Sequence, residues 1–470
     1  ALLILAGLML AAGVLTKIIP AGTYDRIADS AGLLQPVPGS YRPTARPDYP
    51  LWRLFTAPFE VLSGEDAPVA IVIGIFILIV SGAFGVLGKS GVLEASVQAL
   101  AGRFRSHRYL FLALVCFFFM LTGSFMGVFE EVVPLVPLAI ALALSFGWDV
   151  FTGMAMSILA VGFGFSAAVA NPFTVGTAQR LAGLQPLSGS LFRLLTFAVF
   201  YLVYLLYILQ HVRRLERSRP VGQLSATESA SLFQIPVDPG VPAAAARPER
   251  FVPRPAGQRF FAWSGAVLAV LVVASAVTRI GSDFVLPLIA LGFLVIGLGS
   301  GLFAGLGLSR TLKSFGQGAL GVSPAVLLIL MALSVKGIIM AGGVMDTILF
   351  RAAGLLQGSG PYTAVLLMFG LTLLMNFFIG SASAKAFLLI PLLAPLASLS
   401  GLTPQIAVQA FVFGDGFTNM LYPTNAVLLV ALGLSGMSWT GWLRRTWKLH
   451  LLVLTLSVLF LLLAVALGYR

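Results

Sequence analysis

The stretch Leu371-Thr-Leu-Leu-Met-Asn-Phe-Phe-Ile-Gly-Ser-Ala-Ser-Ala-Lys-Ala-Phe-Leu-Leu-Ile-Pro-Leu392 starts and ends as an apolar run, and at its centre it carries Gly380, two serines and Lys385. A lysine at membrane depth costs on the order of 2.5–3.5 kcal/mol even on insertion scales, so it needs a partner or a task. Non-helical backbone there survives only where protein or a water-filled cavity surrounds it. The stretch therefore reads as a hairpin over Tyr362 to Leu399, with Lys385, after Gly380-Ser-Ala-Ser383, at its turn. A counterpart precedes it at Leu121-Thr-Gly-Ser-Phe-Met-Gly-Val-Phe-Glu-Glu-Val-Val-Pro-Leu135, where Gly123-Ser124 matches Gly380-Ser381 and Val133-Pro134-Leu135 matches Ile390-Pro391-Leu392 at an offset of 257. That places a first hairpin over Tyr109 to Ser145.

Outward from these two points the match continues. Lys89-Ser-Gly-Val-Leu-Glu94 aligns with Ala341-Gly-Gly-Val-Met-Asp346, and Gly162-Phe-Gly164 with Gly414-Asp-Gly416, both at an offset of 252. Conserved order at a nearly constant offset marks an internal repeat. Single apolar spans flank the irregular zones at Leu2 to Ile19, Ala67 to Leu87, Phe192 to Gln210, Ala262 to Val277, Phe284 to Leu306, Pro324 to Met340 and Leu449 to Leu467, each near the roughly 20 residues a bilayer requires. With Ala262 to Val277 as an extra crossing, the second repeat enters the membrane opposite to the first. The expected fold is an all-α polytopic membrane protein of two inverted-topology repeats, residues 1–210 and 260–470, joined by a linker over 211–259.

Only 10% of the 470 residues are Asp, Glu, Lys or Arg, far below the roughly 25% of soluble domains. The net charge of +12 is a topology signal: 17 of the 29 Lys and Arg fall in four segments that this span count puts on one side. They are Lys89 to Arg108, the Pro-, Ala- and Ser-rich linker, Arg310 with Lys313, and Arg444 to Lys448. Positive residues mark the cytoplasmic side, so nucleic acid is excluded as a partner and the bilayer is the expected surroundings. Pro20 to Pro50 becomes an external loop. Ala1 already lies within an apolar run, so a short tail is expected before it, and no charged n-region or cleavage site marks a signal peptide. The single cysteine, Cys116, rules out a disulfide framework and a thiolate metal site.

Each half then carries a helix expected to break midway. The first break falls within Gly162 to Thr174 and the second within Gly414 to Asn425, where glycines and a proline free backbone groups and half-helix ends add partial charge.

Ile19-Pro-Ala-Gly-Thr-Tyr-Asp25, Phe129-Glu-Glu131, Asn171-Pro-Phe-Thr-Val-Gly176, Gly380-Ser-Ala-Ser-Ala-Lys385, Phe413-Gly-Asp-Gly-Phe-Thr-Asn419 and Pro423-Thr424 resemble the YfcC family. That family is grouped with DcuC-type C4-dicarboxylate carriers and arginine/ornithine antiporters in the ion transporter superfamily. The resemblance covers nearly the whole chain outside the linker. It implies a dimerising scaffold and a mobile transport domain with two hairpins and two broken helices, working as an elevator in a bacterial cytoplasmic membrane. Substrates among the relatives differ, so it leaves the solute open.

Read singly, Glu130 and Glu131 at the first hairpin tip either bind a substrate amine, proton or cation, or cap local amides. Lys385 either binds a substrate carboxylate or serves as countercharge to Asp415 or a glutamate, and Asp415 either holds a cation or amine or caps its helix. Asn171, Thr174, Ser381, Ser383, Asn419, Thr424 and Asn425 offer neutral contacts to substrate. Ser124, Gly162, Gly164, Ser166, Gly414, Gly416 and Thr418 offer oxygens to a coupling ion, with Na+ and H+ both admissible. Alone, each small polar residue is more often a helix-to-helix hydrogen bond. Lys336 reads as a snorkelling side chain, and Gly297, Gly301 and Gly305 as a close-packing stripe, with a dimer contact as one use.

No His-Glu-x-x-His or Gly-x-Ser-x-Gly element is present, and His107, His211 and His450 lack ligand spacing, so neither enzyme, cofactor nor catalytic metal is expected. The expected function is secondary active transport of a small polar solute, an amino acid or a carboxylate, driven by an ion or by exchange. A C4-dicarboxylate carrier is the narrower alternative and a passive channel the alternative of another class. The charge set, two adjacent acids against one lysine, leans toward an amino-acid-like substrate.

Overall fold

A computed structural model describes residues 2–28, 34–47, 49–50, 52–64, 67–218, 251–278 and 282–470, and the statements below concern these residues. In the first half the helices are α1 (Leu2–Ile18), α2 (Arg53–Glu60), α3 (Ala67–Lys89), α4 (Val92–Phe104), α5 (Arg108–Met126), α6 (Val136–Ser145), α7 (Val150–Met154), α8 (Ala160–Ser166), α9 (Thr177–Leu181) and α10 (Ser190–Ser218). The second half contains α11 (Pro255–Thr278), α12 (Ser282–Ala304), α13 (Leu308–Ala341), α14 (Met345–Leu356), α15 (Pro361–Phe378), α16 (Ala382–Leu399), α17 (Pro404–Gly416), α18 (Ala426–Ser435) and α19 (Trp439–Ala466). Among the described residues, eight helices are long and apolar enough to cross a membrane. From α3 to α10 and from α13 to α19 the chain passes through the same order: long helix, short helix, hairpin, interrupted helix, long helix.

The single spans are helical, and three begin well before their apolar runs. Helix α11 starts at Pro255, α13 at Leu308 and α19 at Trp439, so Arg259, Arg310, Lys313, Arg444, Arg445 and Lys448 lie inside helices. Length alone reveals the apolar part, while polar helix ends carry no hydropathy signal. Helix α13 runs straight through Pro324, which cannot donate to the carbonyl of Leu320; the hydroxyl of Ser323 donates to that carbonyl at 2.8 Å instead. The proposed linker is narrower than 211–259 at both ends, since α10 continues to Ser218 and α11 begins at Pro255; residues 219–250 lie outside the described set.

One body forms where α3 packs on α12 and α13, with α11 against α12 and α1 against α13. Glycine makes the closest crossings: a Cβ on Gly85 would stand 2.7 Å from the carbonyl of Ser314, and one on Gly297 would stand 2.6 Å from Cα of Ala83. Gly297 and Gly301 therefore serve contacts with α3 within the chain, and Gly305, at φ +94, lies just beyond the end of α12. The second body gathers α5, α8, α15 and α17, with α10 and α19 beside them. Residues 22–28 and 34–43 contribute two short antiparallel pairs, β1 (Gly22–Thr23) with β4 (Arg42–Pro43) and β2 (Arg26–Ala28) with β3 (Leu34–Pro36). They dock on α14, where Arg26 pairs with Asp346 at 2.8 Å and the rings of Tyr41 and Phe350 stack 4.0 Å apart.

Basic segments meet one another. Gly91 lies against Phe251 and Pro253, and Gly305 against Arg254. Arg108 pairs with Glu216 at 3.2 Å, and the hydroxyl of Tyr207 donates to the Arg445 carbonyl.

Candidate functional site

Both hairpins turn where the apolar runs are interrupted. Helix α5 ends at Met126, Gly127 takes φ +71, and a 3₁₀ turn over Glu130–Leu135 leads into α6. A Cβ at Gly127 would stand 2.5 Å from Oδ1 of Asn171, so glycine is required twice over. In the second hairpin α15 ends at Phe378 and α16 starts at Ala382, with Ser381 as its N-cap. The interrupted helices break where expected: α8 stops at Ser166 before a turn at Pro172–Gly176, and α17 passes into a 3₁₀ turn at Phe417–Met420 before α18.

These four interruptions enclose a cavity of about 240 Å³. The first hairpin tip contributes Glu130 and Glu131, the second contributes Ser381 and Ser383, and the second break contributes Asn419, Thr424 and Asn425. Phe129, Phe165, Phe173 and Phe378 form apolar wall, and Ile73 of α3 with Leu333 and Lys336 of α13 complete it. Lys336 thus lines the same cavity as the two glutamates, a place that its position near a helix end did not suggest. Two helix N-termini, those of α16 and α18, also open on it through Ala382 and Ala426, and such ends favour negative charge. Glu131 Oε2 accepts from the Phe129 amide at 2.9 Å.

Four of the residues expected to touch substrate lie behind this wall. Lys385 and Asp415 are fully buried and face each other, with Nζ 2.5 Å from Oδ1. Lys385 Nζ also donates to Asn376 Oδ1, while Asn376 Nδ2 donates to the Asp415 carbonyl at 2.8 Å, to Thr418 Oγ1 at 2.6 Å and to Asn419 Oδ1 at 3.1 Å. Asn425 Nδ2 donates to the same Asn419 oxygen at 3.1 Å. A hydrogen-bonded chain thereby joins the buried ion pair to the cavity. Asn376 was missed by sequence reasoning, although a lone amide in the apolar arm nine residues before Lys385 was a visible signal.

Asn171 and Thr174 are buried in the first break. Asn171 Oδ1 accepts from the amides of Phe173 and Thr174, and Thr174 Oγ1 has no hydrogen-bond partner. The residues considered for an ion do not line the cavity. Ser124 Oγ donates to the Ala167 carbonyl at 2.9 Å and Ser166 Oγ to the Gly162 carbonyl at 2.7 Å; Thr418 Oγ1 reaches the Gly414 carbonyl at 3.3 Å. The four glycines sit at helix contacts: a Cβ on Gly164 would stand 1.9 Å from the Met120 carbonyl, and one on Gly416 would stand 2.2 Å from Cα of Ser166. Gly162 and Gly414 are similarly close to Met420 and Thr372. Ser383 Oγ donates to the Phe173 carbonyl at 3.4 Å, which ties the second hairpin tip to the first break.

Comparison with known proteins gives one family model, described as DcuC, C4-dicarboxylate anaerobic carrier, which matches residues 1–466. A relative from Escherichia coli (strain K12), named "Putative basic amino acid antiporter YfcC", is 29% identical over 90% of this chain and 85% of its own. A Haemophilus influenzae protein described as uncharacterized is 23% identical over 77% of this chain and 69% of its own. Among solved structures, the YdaH transporter of Alcanivorax borkumensis matches with a TM-score of 0.43 at 20% identity, covering 99% of this chain and 98% of that one. MtrF of Neisseria gonorrhoeae matches with a TM-score of 0.40 at 16% identity, covering 98% and 93%.

Proposed function

Since the chain belongs to the DcuC family of multi-pass membrane transporters, we propose that it is a secondary active carrier of a zwitterionic or basic amino acid, driven by an ion or by exchange. The observation that carries this reading is a cavity with both signs of charge, Glu130 and Glu131 on one hairpin tip and Lys336 on α13. A substrate amine is assigned to the glutamates. Its carboxylate is assigned to Lys336 and the N-termini of α16 and α18, and Ser381, Ser383, Asn419, Thr424 and Asn425 supply neutral contacts. Lys385 and Asp415 then support the site without touching the solute. The name carried by the E. coli relative agrees with a substrate bearing an amine.

In this reading the two halves are inverted repeats, the body with both hairpins moves as an elevator against α3, α12 and α13, and the carrier is a homodimer in a bacterial cytoplasmic membrane with its basic ends inside. A C4-dicarboxylate remains the second reading, favoured by the description of the family and by Lys336 with two helix N-termini.

Thermal unfolding of the purified chain with amino acids, polyamines and dicarboxylates, each with and without sodium, separates the two; ligand that binds the folded state at about 100 times its Kd stabilises by about 2.7 kcal/mol. Arginine, ornithine or lysine is expected to raise Tm and to exchange in proteoliposomes. A response to succinate and fumarate alone would overturn the amino acid assignment, and uptake indifferent to every imposed gradient would overturn secondary transport.

A further inference from the structure

We propose that the Lys385 ammonium is a tethered cation, occupying permanently the position among the oxygens of the second half that a dissociable monovalent cation would otherwise take. The ammonium is fully buried, contacts Asn376 Oδ1 of α15 and stands 2.5 Å from Asp415 Oδ1 of α17. A carboxylate and a neutral amide oxygen from two helices are the oxygen donors that hard cations choose. Here they meet a positive charge that arrives on a four-carbon stem from α16. Asp415 lies where the helix passes into the 3₁₀ turn of the second break, beside the Thr418 hydroxyl and the Asn419 amide that Asn376 gathers.

The internal repeat sharpens the assignment. Gly162-Phe-Gly164 answers Gly414-Asp-Gly416, so the first half places Phe163 where the second places Asp415. Phe163 packs edge-on to Phe417 at 5.5 Å. Its half therefore lacks the carboxylate at this position, and the carboxylate of the other half comes with its own ammonium. Removing the ammonium leaves a buried carboxylate unpaired, a strongly unfavourable state that a small cation entering the vacated space relieves. The consequence for the carrier is that this half needs no free cation, and Asn376 with Asn419 relays the fixed charge to the cavity wall.

The inference names the ion behaviour of the proposed carrier and rests on that reading only for its meaning in transport; its test is an unfolding measurement. Full-length wild type, Lys385→Ala, Asp415→Asn and the double variant are melted in choline chloride and in equal concentrations of NaCl, LiCl and methylammonium chloride. Lys385→Ala is expected to melt lower than wild type in choline and to gain about 4 °C or more over the wild-type response with sodium, lithium or methylammonium. The double variant, with no carboxylate, is expected to show only the wild-type response. If Lys385→Ala folds only when extracted in one of these small cations, the inference is supported in the same sense. If it responds no more than wild type, or fails to fold in every salt while the double variant folds, the inference is overturned. Solute exchange by the wild type would stand in either case, so failure here is distinguishable from failure of the transport reading.

Discussion

Asn171 Nδ2 donates to the carbonyl of Gly123 at 3.3 Å, 48 residues away, while its Oδ1 accepts from the amides of Phe173 at 2.8 Å and Thr174 at 3.3 Å. One buried amide thereby joins an arm of the first hairpin to the turn beyond the first break. Asn425 is its counterpart, capping α18 through Leu428 at 3.0 Å and donating to Asn419 at 3.1 Å. Each of Asn171→Ala and Asn425→Ala removes a cap and strands a buried polar partner, so each is expected to destabilise the chain by about 1–3 kcal/mol in denaturant unfolding. Unchanged midpoints would show that the breaks hold their shape without these side chains.

The cavity charges predict a split by ligand group. Glu131→Gln keeps an oxygen for the Phe129 amide, so the fold should persist; affinity for an amine-bearing solute should fall about 10- to 100-fold, the weight of a hydrogen bond to a charged group. Lys336→Met should instead weaken ligands through their carboxylate and spare polyamines. Binding isotherms for lysine, putrescine and succinate on both variants provide the check. Identical losses across all three ligands would contradict the division of roles.

Membrane constraints made the architecture readable. A bilayer fixes span length, so the crossing helices followed from apolar runs, and it penalises lone polar groups, so Gly380, Glu130 and the two breaks stood out as interruptions. What the sequence left open was pairing. Lys385 had a carboxylate partner or a substrate as alternatives, and only the fold brings α15 and α17 around it. Lys336 lay near the end of its apolar run, where snorkelling is the ordinary outcome, and nothing in α13 itself reveals that the hairpin tips fold against it. Glycines at 162, 164, 414 and 416 were ambiguous for a physical reason: the missing side chain that exposes a carbonyl to an ion also lets two helices touch.

The Met120 carbonyl is backbone and cannot yield, so Gly164→Ala should cost about 3 kcal/mol or more, or prevent folding, through the α5 to α8 contact. Gly370→Ala, in α15 with open space around its Cβ direction, should be neutral or stabilise by up to about 1 kcal/mol. Expression and Tm in detergent report both. Tolerance at Gly164 would remove the packing account of that glycine.

A carboxylate and a histidine, Asp149 and His211, face each other at the end of the molecule where basic segments meet. Asp149 caps α7, accepting from the Thr152 amide at 2.9 Å and its hydroxyl at 2.6 Å, and His211 Nε2 lies 3.2 Å from both carboxylate oxygens. Burial pushes the Asp149 carboxyl up, but the hydrogen bond and charge of His211 and the two bonds from Thr152 outweigh it, and the carboxyl sits below its usual range. A folded pKa below the unfolded value of about 3.9 gives stability that is fully present above that value and is lost as pH falls through the folded one. Asp149→Asn retains a capping oxygen and loses the charge, so its deficit relative to wild type should be full near pH 5 and close toward pH 3. Denaturant unfolding at about pH 5, 4 and 3 measures that gap. A deficit that stayed constant across this range would mean that the Asp149 charge contributes nothing to holding α10 against α7.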